Sequence, residues 1–171
     1  MSKTHPTPLD LNKTHQNNES YCFDLVRKWD HDRFLTTLFI PSQVRRHWLT
    51  ILALNVELSM IRDAVTEPTL GHIRFQWWND RILSANGSDE SAAGHPVLLE
   101  LRYLLAHSCI TPDDLTSLIP ARDVYDLIEY PFATLSDLRA YLEGTAGALQ
   151  VVLAKCLVGA PMETSSLRQF H

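Results

Sequence analysis

Cysteine is scarce in this chain, with three residues among 171. Cys22, Cys109 and Cys156 are odd in number, far apart in sequence and absent from any Cys-x-x-Cys pattern. This distribution argues against a disulfide framework and against a thiolate metal cluster. We therefore expect reduced thiols, which are typical of a cytoplasmic protein.

An excess of basic residues is also absent. The chain has 15 lysines and arginines against 20 aspartates and glutamates, and its formal net charge at pH 7 is −5. Proteins that bind nucleic acid need a basic face to neutralise phosphates, so no nucleic-acid partner is expected. With 45% hydrophobic residues, the chain has enough apolar content for one domain with a real core.

Long apolar runs are missing as well. The longest candidate, residues 48–58, is interrupted by Asn55 and Glu57 and is shorter than the ~20 residues that span a bilayer. Residues 1–19 are polar and lack the apolar core of a secretion signal. The sequence therefore predicts no transmembrane segment, and it predicts a disordered leader over residues 1–19.

The chain does contain helical periodicity throughout. Apolar residues recur at spacings of three and four, and no stretch sustains the alternation of a strand. The pattern predicts an all-α bundle in a single domain over residues 20–160, with a tail over residues 161–171. Turn chemistry at positions 86–91, the Tyr130-Pro131 break and Gly159 separate or end helices. The predicted helices cover residues 20–29, 30–39, 41–61, 67–83, 95–107, 111–129 and 134–158.

Several local patterns occur in a fixed order along the chain. They are Phe34-Leu35 through Ile40-Pro41, then Ile73-Arg74-Phe75-Gln76-Trp77-Trp78, then Tyr141-Leu142-Glu143-Gly144-Thr145-Ala146-Gly147. A further spaced set comprises Asn55, Glu57, Leu58, Glu67, Pro68, Gly71, Arg74, Gln76 and Trp78. On these motifs, residues 20–160 resemble the squalene/phytoene synthase family. The resemblance is closest to a divergent branch that includes a mitochondrial assembly factor for NADH–ubiquinone oxidoreductase and its alphaproteobacterial relatives.

The resemblance implies an isoprenoid-synthase-like helical bundle, of which this chain would be the N-terminal part. Active members of the family join two prenyl diphosphates head to head, and this needs magnesium between diphosphate oxygens and carboxylates. The first carboxylate pair of those members falls on Ser59 and Asp63, which leaves Asp63 as the single candidate metal ligand. An arginine and a tyrosine of active members fall on Val56 and Leu52.

By the same resemblance, two further parts of the diphosphate site differ from those of active members. The segment that holds diphosphate in active members corresponds to residues 29–34, where Asp30 and Asp32 would repel it. The second aspartate-rich helix belongs beyond residue 160. We therefore expect a degenerate, non-catalytic site without a cofactor. Magnesium is expected only if the alternative holds, in which the chain is an active prenyl transferase.

Tyr141 matches a tyrosine that faces the central cavity in active relatives. Gly144 and Gly147 each cost about 1 kcal/mol inside a helix, which either close helix packing or room for an isoprenoid or quinone tail would offset. Both interpretations stay open on the sequence. Together with Asn55 and Arg74 from the spaced motif, these residues form the predicted substrate-binding set.

Two other pairs invite a functional interpretation. Asp123 and Asp126 lie three apart on one predicted helix and are either a second metal pair or ordinary partners of neighbouring arginines. Trp77 and Trp78 point about 100° apart on a helix, so one is expected to be buried and the other partly exposed.

The resemblance implies a role in respiratory-complex assembly or in isoprenoid binding, in the cytoplasm or at the periphery of the inner membrane. The expected partners are an isoprenoid or quinone-like ligand, a respiratory-complex subunit, and either a second copy of the chain or a missing C-terminal half. Because half of a fold cannot cover its own core, an exposed apolar face is expected where further helices would pack.

Overall fold

A computed structural model describes residues 8–86, 94–129 and 132–159, and all side chains within these ranges except those of residues 8–16 and 86. The predicted break at Tyr130-Pro131, the predicted tail over residues 161–171 and most of the predicted turn at 86–91 lie outside the described residues. Within them the regular structure is helical, without a β-strand. The all-α prediction is confirmed.

The described helices follow one another with short connections. They are α1 (Pro8–Trp29), α2 (His31–Thr37), α3 (Ser42–Ser59), α4 (Pro68–Leu83), α5 (Pro96–His107), α6 (Pro112–Thr116), α7 (Pro120–Tyr125), α8 (Leu135–Leu142) and α9 (Ala148–Val158). A 3₁₀ turn, Arg62–Ala64, follows α3, and a π-helical segment, Glu143–Gly147, joins α8 to α9.

Helix α3 lies at the centre of the fold, as its apolar composition predicts. It contacts α1, α5 and α9, and residues 49–56 are all buried. Burying a large aliphatic side chain contributes about 1.5–3 kcal/mol, so α3 anchors the surrounding helices. The largest fully buried side chains are Ile51, Leu52, Leu54, Leu58, Phe75, Ile82, Leu98, Leu101, Leu104, Leu115, Leu118 and Leu149.

A buried ion pair joins α3 to α5. The Arg46 guanidinium donates from Nε to Glu100 Oε2 at 2.8 Å and from Nη2 to Glu100 Oε1 at 3.0 Å. The Glu100 side chain is 0% exposed, and the guanidinium also lies 3.7 Å from the centre of the Tyr103 ring. A carboxylate this deep is tolerated because a two-pronged donor satisfies both of its oxygens.

Two of the predicted segments differ from the structure by the loss or gain of whole helical turns. Helix α1 begins at Pro8, so part of the leader predicted over residues 1–19 is helical. A proline in the first turn loses no hydrogen bond, and burial of Cys22 and Val26 anchors the packed half from which the helix extends. The helix predicted over residues 111–129 is instead α6 and α7, because Pro120 has no N–H to continue α6 and starts α7.

Thr134 is the N-cap of α8. Thr134 Oγ1 accepts from the Asp137 backbone N–H at 3.1 Å, and Asp137 Oδ2 accepts from the Thr134 N–H at 2.8 Å. The helical stretch Leu135–Val158 has 24 residues and is long and apolar enough by composition to cross a membrane. The prediction that no segment reaches this length is therefore wrong, because the Gly, Ala and Thr residues of this stretch do not interrupt its apolar character. A buried core helix passes the same test.

Much of this long helix is nevertheless exposed. Only 28% of its most apolar 18-residue stretch is buried, and Val151 and Val158 are 68% and 84% exposed. Gly147, Val151, Ala154 and Val158 are all exposed and follow one another at helical spacing, so they share one side. We call these four residues the α9 outer face. It is an exposed apolar face of the kind that the sequence predicts.

Candidate functional site

The predicted site residues lie on two different sides of α3. Asn55 and Tyr141 come together with residues of α7, whereas Arg74 lines a separate cavity. Asp63 lies in the 3₁₀ turn after α3. The residues predicted as one substrate-binding set therefore lie in two separate places in the structure.

Arg122 is the centre of the first group. Its Nη2 donates to Asn55 Oδ1 at 3.1 Å, and its Nη1 donates to Asp126 Oδ2 at 3.2 Å. The side chains of Arg122 and Asp126 are each 11% exposed. At the same end of α3, Arg62 Nη1 donates to the carbonyls of Asp126 and Ile128. These bonds fix the end of α7 against the end of α3.

Tyr141 packs beside this network. Its ring lies 5.9 Å from that of Tyr125 and 5.2 Å from that of Phe132, centre to centre. Burial raises the pKa of the Tyr141 hydroxyl, and the hydrogen bond and charge of Asp126 raise it further. The hydroxyl therefore stays protonated at neutral pH and can act as a hydrogen-bond donor, not as a base.

The residues at the expected magnesium position do not fit a divalent cation. Helix α3 ends at Ser59, so Ser59 and Asp63 are not successive positions on one helical face. The Ser59 hydroxyl donates to the Val56 carbonyl at 2.7 Å, and Asp63 is exposed. Over the described part of the chain, no group of three or more His, Cys, Asp or Glu side chains could hold a metal ion. Magnesium needs six oxygen ligands in near-octahedral geometry, and water would have to supply almost all of them here.

Asp123 and Asp126 do not form a metal pair. Asp123 Oδ1 lies 2.7 Å from His72 Nδ1 on α4, whereas Asp126 faces Arg122. The alternative in which a neighbouring arginine pairs with Asp126 is therefore the correct one. Arg139 on α8 pairs instead with Glu143, at 2.7 Å.

The π-helical segment brings α7 close to the last helix. A Cβ on Gly144 would lie 2.5 Å from the Cβ of Ala121, which is closer than real contacts allow. At Gly147 the nearest atom to such a Cβ is the Leu142 carbonyl oxygen at 3.5 Å, an ordinary contact. Close packing therefore accounts for Gly144, whereas Gly147 lies on the exposed α9 outer face.

This difference predicts opposite effects for two matched substitutions. Gly144→Ala is expected to lower the free energy of unfolding by about 1–2 kcal/mol, because overpacking outweighs the gain in helix propensity. Gly147→Ala should be neutral or stabilising by up to about 1 kcal/mol. Urea denaturation at 25 °C measures both. Adding Ala121→Gly to Gly144→Ala should restore stability, and a Gly144→Ala variant as stable as Gly147→Ala would contradict the packing.

The second cavity lies between α3, α4 and the start of α5. Its volume is about 380 Å³, and its lining residues are Glu57, Met60, Ile61, Ala64, Arg74, Trp77, Trp78 and His95. Trp78 is 5% exposed and Trp77 is 39% exposed, which confirms that the two indoles divide between core and surface. The sequence motifs assign no role to His95, although a histidine directly before the first proline of a helix is well placed to face a neighbouring helix.

A squalene/phytoene synthase family model matches residues 26–169. The chain is 31% identical over 134 residues to "NADH dehydrogenase (ubiquinone) complex I, assembly factor 6" of Bos taurus and 28% identical over 131 residues to that of Homo sapiens. It is 27% identical over 160 residues to the Drosophila melanogaster homolog.

These alignments cover most of this chain but less of its relatives. They take in 77% of the chain for the two mammalian proteins and 89% for the Drosophila protein. The same alignments take in 38% of each mammalian relative and 47% of the Drosophila one. The chain thus spans less than half the length of these relatives. No solved structure gives a significant match.

Proposed function

This chain belongs to the squalene/phytoene synthase family, and from that premise we propose that it is a non-catalytic member that acts in respiratory complex I assembly. Its similarity to proteins named as complex I assembly factors supports this role. We infer the loss of catalysis from the residues at the position where active members bind magnesium. There, an exposed Asp63 follows the end of α3, and Asp126, at the end of α7, is neutralised by Arg122.

Electrostatics oppose turnover at this site. Ionisation of a prenyl diphosphate leaves a pyrophosphate whose charge must be neutralised by divalent cations, which in turn need several convergent carboxylates. The described carboxylates near α3 are engaged or isolated, since Asp126 binds Arg122 and Asp123 binds His72. An isoprenoid-binding role without chemistry stays compatible with Tyr141 and with its aromatic neighbours Tyr125 and Phe132.

We expect no condensation activity from the purified chain. With farnesyl or geranylgeranyl diphosphate and Mg²⁺, pyrophosphate release should not exceed that of buffer, whereas an active family member assayed in parallel should release it readily. The reason is the lack of convergent metal ligands around Asp63. Turnover that disappears in Asp63→Asn would contradict the proposal and favour the alternative, an active prenyl transferase.

The assembly role is tested separately, in cells that normally express this chain. Removing the chain should lower the amount of assembled NADH–ubiquinone oxidoreductase in membranes, measured by native gel electrophoresis. Expression of Asp63→Asn should restore assembly as fully as the wild-type chain, because the carboxylate takes no part in the function. A normally abundant Asp63→Asn protein that fails to restore assembly would oppose a non-catalytic role.

The partner surface that we propose is the α9 outer face with the groove beside it. This groove of about 550 Å³ is lined by the apolar residues Gly147, Ala148 and Val151 and by the acids Asp113 and Glu143, of which Glu143 is paired with Arg139. An apolar groove with an acid such as Asp113 beside it complements an amphipathic helix whose apolar stripe is flanked by Lys or Arg. We propose that a complex I subunit or another assembly protein supplies that helix, at the periphery of the inner membrane.

A further inference from the structure

The cavity that contains Arg74 is separate from the network around Arg122. Glu57 lines this cavity and lies two positions after Asn55, so the two side chains point about 160° apart around α3. Asn55 faces α7, whereas Glu57 faces α1 and the start of α5. Nothing in the arrangement expected for prenyl diphosphates and magnesium accounts for a cavity on this side.

The walls of the cavity are apolar and aromatic. The rings of Trp77 and Trp78 meet edge to face, with centres 5.2 Å apart and planes at 81°. Met60, Ile61 and Ala64, from the end of α3 and the turn after it, also line the cavity. Two indoles at right angles beside aliphatic groups make a corner in which a flat ring or a branched chain is desolvated.

Arg74 differs from the other arginines in the described part of the chain. Each of the others makes a hydrogen bond, an ion pair or another electrostatic or ring contact, whereas Arg74 makes none. Its exposed guanidinium lines the cavity but forms no ion pair with Glu57, the carboxylate in the same lining, which is bound by Tyr21. An arginine in that position offers several N–H donors to an incoming anion, at little cost because no existing bond must break.

Glu57 and His95, which also line the cavity, do not attract an anion. Tyr21 Oη donates to Glu57 Oε1 at 3.1 Å, and His95 Nε2 lies 3.8 Å from the same oxygen. Burial lowers the pKa of His95, and the charge of Glu57 only partly opposes this. The imidazole is therefore neutral at neutral pH. Glu57 disfavours an anion at its own end of the cavity, so a bound anionic group belongs at the Arg74 end.

We propose that this cavity binds an amphipathic anion, with a carboxylate or phosphate group on Arg74 and an apolar or aromatic body against Trp77, Trp78 and Met60. The inference does not depend on the assembly role, because it rests on a different set of residues. A free metabolite and a membrane lipid both carry this chemistry, and the experiment separates them.

The first measurement uses naphthalene-2-carboxylate as the probe and the full chain as it exists. Saturable quenching of tryptophan fluorescence, checked by calorimetry, is expected because the ring would lie against Trp77 and Trp78. The neutral analogue naphthalene-2-methanol should bind about tenfold more weakly or worse, since it cannot form a charge-assisted bond. Equal affinity for the two probes, or no saturable binding of the acid, would overturn the proposal.

Variants assign the effect to Arg74. Arg74→Gln should weaken the carboxylate about tenfold or more and leave the alcohol unchanged. The matched control is Arg139→Gln, which removes an exposed arginine of α8 that pairs with Glu143, and it should bind both probes like the wild type. Carboxylate binding that is unaffected by Arg74→Gln would contradict the assigned site.

The second arm identifies the source of the ligand. Vesicles of phosphatidylcholine with and without phosphatidylglycerol are floated with the wild-type chain and with Arg74→Gln. Flotation that requires phosphatidylglycerol and Arg74 identifies a lipid headgroup as the anion. Binding of free decanoate that depends on Arg74, without flotation, identifies a soluble amphiphile. Failure of both arms would overturn the proposal, whereas the assembly role would stand or fall by its own assay.

Discussion

Replacing Arg46 with methionine is expected to lower the free energy of unfolding by about 3–5 kcal/mol. The substitution removes both donors to Glu100, at 2.8 and 3.0 Å, and leaves a side chain with 0% exposure without a counter-charge. It also removes the guanidinium that lies over the Tyr103 ring. Methionine keeps most of the aliphatic packing, so the loss reports the uncompensated carboxylate. Urea denaturation at 25 °C measures it.

Two further variants test whether burial causes the loss. Arg46→Met combined with Glu100→Met should recover most of the stability, because no charge then remains in the interior. Arg27→Met breaks an ion pair with Asp24 in which both side chains are more than half exposed, at 57% and 65%. That variant should change stability by no more than about 0.5 kcal/mol. Equal losses for Arg27→Met and Arg46→Met would show that α3 and α5 do not depend on the buried pair.

The sequence was a good guide wherever local patterns decide the structure. The apolar content of α3 identifies the central helix, and Thr134 marks the start of α8 through its own capping geometry. The indole pair divides between core and surface because adjacent helical positions point apart. Each of these features depends on residues within a few positions, which is the range over which periodicity and capping operate.

The differences arise where tertiary contacts override local preference. The polar start of α1 is helical because the helix is stabilised further along, where Cys22 and Val26 are buried. The π-helical segment accommodates Gly144 against Ala121, a contact with a residue more than twenty positions away in the chain. No local pattern encodes such a contact, so neither the segment nor the separation of Gly144 from Gly147 follows from the sequence.

The pairing of side chains within the candidate site does not follow from the sequence. The loss of carboxylates at Ser59 is readable directly from the sequence. That Arg122 would connect Asn55 to Asp126 is not, since the two partners lie on different helices. A single glutamate within the leucine-rich α5 signals a buried partner for Glu100, yet the sequence does not say which arginine supplies it.

The α9 outer face provides the last expected result, a loss of partner capture of about 100-fold in Val151→Asp. Val151 is 68% exposed, so an aspartate there is hydrated in the free chain and changes its stability little. When an apolar helix covers the face, the carboxylate must be desolvated without a counter-charge, at a cost of about 3 kcal/mol. The measurement is co-purification of complex I subunits with a tagged chain, quantified against the wild type.

A matched control variant, and tests for two other possible occupants of the α9 outer face, separate the outcomes. Val124 on α7 is 59% exposed and lies outside the groove, so Val124→Asp should capture partners like the wild type. Because Asp113 lines the groove, capture should also weaken with salt and in Asp113→Asn. Sedimentation of the purified chain as a dimer that Val151→Asp dissociates would show that a second copy covers the face. Flotation on vesicles that Val151→Asp abolishes would show that lipid covers it. Either outcome would replace the partner helix as the occupant, since one apolar face of this size holds a single neighbour at a time.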